Sequence, residues 1–587
     1  MPVSVLDNQW SRSCDSLVSC ARYGFASVLH AFGQRLSDRS ATVLLRLVAT
    51  DGTVCDLTYG ELHERATWAV AALRERGVRR GDRVVVALPS SAEFFAIYMG
   101  CLFSGVIPIV VPAPREKIST DIYCGQLTPL VMFTQAKALV VPTAGIADIR
   151  ARMQIQTVSS DELTARAAPG ALDIDLAPAP DTIAHLQLTS GTTGIPRAAV
   201  IRHRNIAENV AGIGLGIRHR DGEDVLVSWL PMFHDMGLIG LSYSLYWNCP
   251  LVVTDPVNFA REPMRWLRMI ANHEGTLSPA PNSAFQLCSR LAERRAPQSL
   301  DLSRWRVALC GAEPVQPATI RDFTRIFGAH GFRPEVFLPV YGLAESTLCA
   351  TMPDPDAPPS FDRVDADALH AQRRADAADH DGRALELTCL GAPLAGLEVR
   401  VVDDQRQPCA PRELGEIEIR GSSVIDGYWG VAASDEGAAR SDGFFRTGDL
   451  GYLADGNLYV CGRCKDIIIV HGRNFASASI EAEVEAAIAI ALPSSVAAVG
   501  VHDPRSQTEA VHIIIESNEQ QLAERPAREL QVRRQLDAAF GLTGVTIHWV
   551  AKRWIPKTTS GKIQRQRCQT KLSHELQQAR TSNPEPP

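Results

Sequence analysis

Helical and strand patterns alternate through most of about the first 450 residues, and this constrains the fold more than any other feature. Glu61 to Gly77 (ELHERATWAVAALRERG) reads as an amphipathic helix closed by a glycine. Asp82 to Pro89 (DRVVVALP) reads as a buried strand, and another helix starts near Ser91. Repeated units of this kind imply parallel sheets covered by helices, an α/β architecture. At 587 residues the chain is too long for one core, so two or more domains are expected. The uncharged run Phe94 to Pro114 has the length to span a bilayer. Gly100, Ser104, Gly105 and Pro108 split it, so a buried helix followed by a buried strand is expected instead of a membrane span.

Two stretches break the alternation. Ala165 to Asp181 is rich in Ala and Pro and reads as a surface linker. Pro353 to Arg383 is rich in Ala and Asp, poor in large apolar residues, and reads as an exposed insertion. After Asp466 the segments IIIV, ASIEAEVEAAIAI, VAAVGVHD and AVHIIIES and a long polar helix suggest a small α+β domain, and residues after Asn583 are expected to fray. Hydrophobic residues at 45% and charged residues at 21% fit a soluble globular protein. A net charge of −7 without a long basic run argues against nucleic acid as a partner. Fourteen scattered cysteines and no secretory signal point to a reducing cytoplasm. Cys461 and Cys464 form a CxxC, but no second Cys or His pair follows at zinc-site spacing.

The chemistry is concentrated in two distant motifs. LTSGTTGIPRAAV (Leu188 to Val200) follows a strand-like TIAHLQL with small hydroxyl residues and glycines, a composition that lets backbone N–H groups and hydroxyls approach a polyphosphate. It lacks the GxxxxGK[ST] of a Walker loop, and taken alone such a run of small residues after a strand is more often an ordinary turn. PKTTSGKIQRQ (Pro556 to Gln566) places Lys562 on a Thr-Ser-Gly turn, and a lone lysine in a polar tail is ordinarily just solvated.

Between them, in order, stand WLPMFHDMGLIG (Trp229 to Gly240), CGAEPV (Cys310 to Val315), YGLAESTL (Tyr341 to Leu348), FRTGDLGYL (Phe445 to Leu453) and GRCKDIII (Gly462 to Ile469). The set resembles the ANL superfamily of adenylate-forming enzymes over nearly the whole chain. The resemblance implies a large N-terminal domain (1–464) of parallel sheets with a smaller β-subdomain. A hinge at Lys465 would join it to a small mobile C-terminal domain (465–587). ATP and Mg²⁺ are the implied cofactors. Thr189, Ser190, Thr192 and Thr193, with Gly191 and Gly194, would cradle the β- and γ-phosphates. Glu345 would take Mg²⁺, as suits a hard cation held by carboxylate and phosphate oxygens. Gly311, Ala312, Glu313 and the segment Tyr341, Gly342, Leu343, Ala344 would line the adenine slot, with Tyr341 stacked on the base. Asp449 would accept the ribose hydroxyls and Arg463 would reach the ribose or a phosphate. Lys562 would bridge the attacking carboxylate and the α-phosphate, delivered and withdrawn by domain rotation. His234 would sit beside the acyl carboxylate. Without the motifs, Glu345 reads as a cap, Asp449 as a turn residue and His234 as a satisfied core histidine.

Within the superfamily, YGLAE in place of YGxTE and the position of the insertion resemble the fatty acyl-AMP ligases. In that branch the insertion restrains the small domain, and the acyl group passes to the phosphopantetheine thiol of an acyl carrier protein and not to coenzyme A. Phe233, Met236, Asn282 and Phe285, with Leu287 nearby, are the expected acyl-pocket residues, although ordinary core packing is the bland reading of each. Arg533, Arg534 and Arg553 are candidates for a carrier-binding patch, against the alternative of a solvated face. A monomer is expected. Arg197 departs from the usual lysine of the phosphate loop, keeping the charge but not the geometry. The rival readings are an acyl-CoA synthetase and a catalytically silent binding protein on the same fold.

Overall fold

The structure is a computed structural model that describes residues 25–115, 118–166, 172–189, 197–297, 299–379, 383–431, 440–488, 495–503, 508–517, 524–558 and 561–582. Two parallel sheets dominate it. The larger has seven strands in the order Phe337–Pro339, Val307–Cys310, Leu277–Ala280, Leu226–Ser228, Leu251–Val253, Val43–Val48 and Val54–Thr58, and only the last pair is antiparallel. The smaller runs Ile107–Val110, Arg83–Val86, Ala138–Val141, Gln156–Ser159, parallel throughout.

Local sequence explains the helices that cover them. The helix Tyr59–Glu75 begins in a capping box, Thr58 accepting from the Glu61 N–H and Glu61 from the Thr58 N–H, and Gly77 beyond its end takes φ 79°. It crosses the helix Ala92–Phe103 at Gly100, where a Cβ would stand 2.8 Å from the Ala66 carbonyl oxygen. Eleven of the twelve residues in that second helix are buried, as are all four of Ile107–Val110. The uncharged run is therefore a core helix and strand. Among the described residues, no helix is long and apolar enough to cross a membrane.

An antiparallel sheet follows, built on Leu397–Val402, Gly415–Gly421, Phe444–Ala454 and Asn457–Arg463. The smaller, β-rich C-terminal region holds the hairpin Ile467–Val470 and Arg473–Ala476. Its three-stranded sheet is formed by Val496–Asp503, Thr508–Ser517 and Thr546–Ala551, with helices Ser477–Ile488, Arg525–Phe540 and Arg565–Ser582.

Two expectations are corrected. The described part of the Ala165 to Asp181 stretch is not a bare surface linker, because Leu172, Ile174 and Leu176 pack on the main core. Nor is the described part of Pro353 to Arg383 simply exposed. Phe361–Asp365 pairs with Ala384–Thr388, and Val364, Ala366, Leu369 and Ala375 are buried in one cluster with Tyr452, Phe475 and Phe540. Small residues bury here without the large apolar side chains that would have announced a core. His370 Nδ1 donates to the Asn474 carbonyl at 2.5 Å, and Arg473 pairs with Asp367 at 2.5 Å. Full burial of Val364 and Leu369 is worth ~1.5–3 kcal/mol each, against ~0.2–1 kcal/mol for an exposed ion pair. Apolar contact, more than charge, fastens the insertion to the C-terminal region.

Candidate active site

A crevice of about 2160 Å³ opens where the parallel strands end. Phe233, Asn282, Gly311 and Tyr341 line it, each a few residues beyond the C-terminal end of a neighbouring strand of the large sheet. Open α/β sheets place ligands at this edge.

On one wall the Tyr341 hydroxyl donates to Asp449 Oδ2 at 2.7 Å, and Arg463 Nε donates to Asp449 Oδ1 at 2.9 Å. Asp449 and Arg463 face each other across the paired strands Phe444–Ala454 and Asn457–Arg463. Asp449 pushes the Arg463 guanidinium above its ordinary value, while burial and the same carboxylate push the Tyr341 phenol up. The result is a fixed, half-enclosed carboxylate acceptor. Gly311 fits against Val340, where a Cβ would lie 3.1 Å from the carbonyl oxygen, and Ala312 takes φ 64°. The Glu313 carboxylate is engaged by the Ser283 N–H (2.9 Å) and hydroxyl (3.1 Å), so it caps the helix Asn282–Arg294.

Glu345 lies deeper. Burial raises its carboxyl above the ordinary value, opposed by the Tyr428 hydroxyl, which donates to Oε1 at 2.6 Å. Arg197 lies over the Tyr428 ring at 5.3 Å. Two residues beyond Glu345, the buried Thr347 takes φ 76° and its hydroxyl donates to the Ser423 carbonyl at 2.6 Å. A β-branched residue in that region is strained, and such strain gathers at functional sites. Tyr428 was not singled out from sequence, although the DGYWG run around it carries the turn that would have marked it.

A third group meets at the start of the helix Asp235–Trp247. Gly237 lets that helix approach closely, since a Cβ there would stand 2.3 Å from the Pro231 carbonyl oxygen. His234 Nδ1 lies 2.5 Å from Asp235 Oδ1. Burial works to raise the Asp235 carboxyl, but His234 and Lys562 outweigh it and hold it below its ordinary value. Lys562, more than three hundred residues away in sequence, lines the same crevice as the FHDMG segment. Its turn is tightly built. The Lys562 N–H donates to Thr558 Oγ1 at 3.1 Å, the Thr558 N–H donates to the Lys562 carbonyl at 2.8 Å, and Gly561 takes φ 86°. Arg565 then clamps this turn to Asp466 (2.6 Å) and to both oxygens of Glu481 (2.8 and 2.6 Å). Asp235 and Arg565 were missed as site residues; Arg565's partners, Asp466 and Glu481, come from distant segments.

Not every expected residue reaches the crevice. Phe285 is fully buried against Trp266, Phe323 and Phe337. Its helix turns Gln286, Ser289 and Arg290 to the crevice instead. Phe285 is therefore corrected to a core residue, and Leu287 likewise packs on the main core. Phe233, His234, Met236 and Asn282 line the crevice, as do Gly342, Leu343 and Ala344. Thr189 pairs with Arg197 at the mouth of an antiparallel hairpin, whereas Ser190, Gly191, Thr192, Thr193 and Gly194 lie outside the described residues. Lys465 is exposed on the short 3₁₀ turn Cys464–Asp466. Arg533 spends its guanidinium on the Val545 carbonyl (2.7 Å), while Arg534 and Arg553 are exposed. Among the described residues no group of three His, Cys, Asp or Glu side chains is placed to hold a metal, Cys461 and Cys464 included.

Parallel sheets, a crevice at their carboxyl edge and a β-rich C-terminal region that brings a lysine to it define an adenylate-forming enzyme. The chain belongs to the AMP-binding enzyme family, whose profile matches residues 31–429. It is 31% identical over 545 residues to the medium-chain-fatty-acid (acyl-carrier-protein) ligase JamA of Moorena producens, covering 88% of this chain and 90% of that one. It is also 31% identical over 544 residues to the long-chain-fatty-acid AMP ligase FadD28 of Mycobacterium tuberculosis, with 88% and 92% covered. A structure solved in work on fatty acyl-adenylate ligases of E. coli and L. pneumophila superposes with a TM-score of 0.85 at 29% identity, over 95% of this chain and 99% of that one.

Proposed function

We propose that the protein activates a fatty acid with ATP and passes the acyl group to a carrier protein. A carboxylate oxygen of the fatty acid bonds to the α-phosphorus while the bond to the β-phosphate bridge breaks, giving acyl-adenylate and pyrophosphate. The thiol of a phosphopantetheine arm then attacks the acyl carbon; AMP leaves and the thiol proton passes to solvent. The observation that carries the reading is that Lys562 lines the same crevice as His234, Asp235 and Asp449. Two anions must meet there, and a positioned ammonium offsets their repulsion.

In this reading Asp449 accepts the ribose hydroxyls beside Tyr341 and Arg463, and Thr189 and Arg197 frame the phosphates. Mg²⁺ would supply charge neutralisation on the phosphates. Glu345 fits it, since Tyr428 engages Oε1 and the other donors would be phosphate and water oxygens. The small domain pivots at Lys465, after residues 1–464, and residues 465–587 move with Lys562. The insertion packed on Phe475 and Phe540 restrains that movement, which supports a carrier protein as acceptor over coenzyme A. The enzyme acts as a cytoplasmic protein in lipid, polyketide or lipopeptide assembly.

ATP–pyrophosphate exchange tests the first half-reaction. Exchange that requires a fatty acid is expected; no exchange with fatty acids of any length would favour a silent binding protein.

A further inference from the structure

One face of the helix Asp235–Trp247 lines the crevice with Met236, Ile239, Gly240 and Tyr243, the spacing of a single helical stripe. The stripe leads away from His234, Asp235 and Lys562 and ends on Tyr243. The next residues on the helix, Tyr246 and Trp247, are packed into the core. Trp247 is seated because Gly214 has no side chain: a Cβ there would lie 2.1 Å from the indole ring.

Tyr243 is braced from behind. Its hydroxyl lies 2.8 Å from His219 Nδ1, and the His219 ring packs on Trp247 with centroids 4.8 Å apart. His219 Nδ1 in turn lies 3.4 Å from Asp224 Oδ2. Asp224 is gripped by Arg306 through both carboxylate oxygens (2.7 and 2.5 Å) and by the Thr276 hydroxyl (2.8 Å). A phenol bonded to a buried histidine that stands against an ion-paired carboxylate cannot swing aside without breaking that contact.

We infer that Tyr243 is the floor of the acyl channel and limits the substrate to medium-chain fatty acids. The inference rests on the fatty-acid reading above. From Asp235 to Tyr243 the helix rises ~12 Å at 1.5 Å per residue. With C–C bonds of ~1.5 Å and angles near ~111°, an extended chain advances ~1.25 Å per carbon, so about eight to ten carbons fill that length. Gly240 lies one turn above the floor with open space around it, a Cβ meeting only Leu226 at an ordinary 3.8 Å.

The test measures pyrophosphate release with saturated fatty acids from hexanoate to hexadecanoate. For the wild type, kcat/KM should peak at about eight to ten carbons and fall by roughly tenfold or more with the first methylene that no longer fits. Tyr243→Ala should move the peak longer by roughly four carbons, the depth vacated by the ring. Gly240→Val, which fills the channel from a different residue, should move it shorter by roughly two to four carbons. A wild-type peak at hexadecanoate, or the same peak in the wild type and Gly240→Val, overturns the inference even if Tyr243→Ala fails to fold. Wild-type enzyme that activates no fatty acid at all overturns the ligase reading itself, and this inference with it.

Discussion

Lys562→Ala should lower the rate of acyl-adenylate formation by roughly 10²–10³-fold, the range seen when one preorganised group is removed from a developing anionic centre. The lysine reaches the crevice on a turn that Thr558 and Gly561 shape and Arg565 fixes to Asp466 and Glu481. Deleting its side chain leaves those backbone contacts intact, so folding and ATP binding should be little changed. Single-turnover measurement of acyl-adenylate separates the steps. Acyl transfer from preformed acyl-adenylate should survive the substitution, because the lysine acts on phosphorus chemistry and not on the thiol attack. Undiminished adenylation would refute the role.

Asp449→Asn has the second large effect, of a different kind. The carboxylate already accepts from the Tyr341 hydroxyl and from Arg463, and in this account it also receives the ribose hydroxyls. An amide keeps the shape but loses the charge, and it presents donors to an arginine. Hydrogen bonds to a charged group contribute ~1.5–3 kcal/mol each, so weakening two of them should raise the KM for ATP by roughly 10²-fold. The contrast is diagnostic: Lys562→Ala falls on kcat, Asp449→Asn falls on the KM for ATP. Isothermal titration with a non-hydrolysable ATP analogue should give wild-type affinity for the first and a large loss for the second.

Much of this was legible in the sequence because the chemistry is carried by short contiguous motifs. The β–α alternation foretold parallel sheets, but that Phe233, Gly311 and Tyr341 share one edge follows from the strand order, which only the structure gives. What was not legible depends on which way a residue faces or on what meets it from far away. Phe285 and Gln286 are adjacent on one helix, yet one enters an aromatic core and the other lines the crevice. Asp235 lies within WLPMFHDMGLIG, but that it shares a crevice with Lys562, and that Arg565 pairs with Glu481, depends on segments far apart in sequence. The insertion was misread because Ala366 and Ala375 bury as completely as large residues when a partner surface is present, and that surface belongs to Tyr452, Phe475 and Phe540. Composition reports the size of a side chain, not the surface it will meet.

The central claim is the identity of the acceptor, and one competition decides it. The wild-type protein, ATP, Mg²⁺ and a medium-chain fatty acid are incubated with equal concentrations of coenzyme A and a phosphopantetheinylated acyl carrier protein, and both thioesters are quantified by mass spectrometry. The account predicts acyl-carrier protein as the dominant product with little acyl-CoA. Efficient acyl-CoA formation with the carrier protein left unloaded would contradict it.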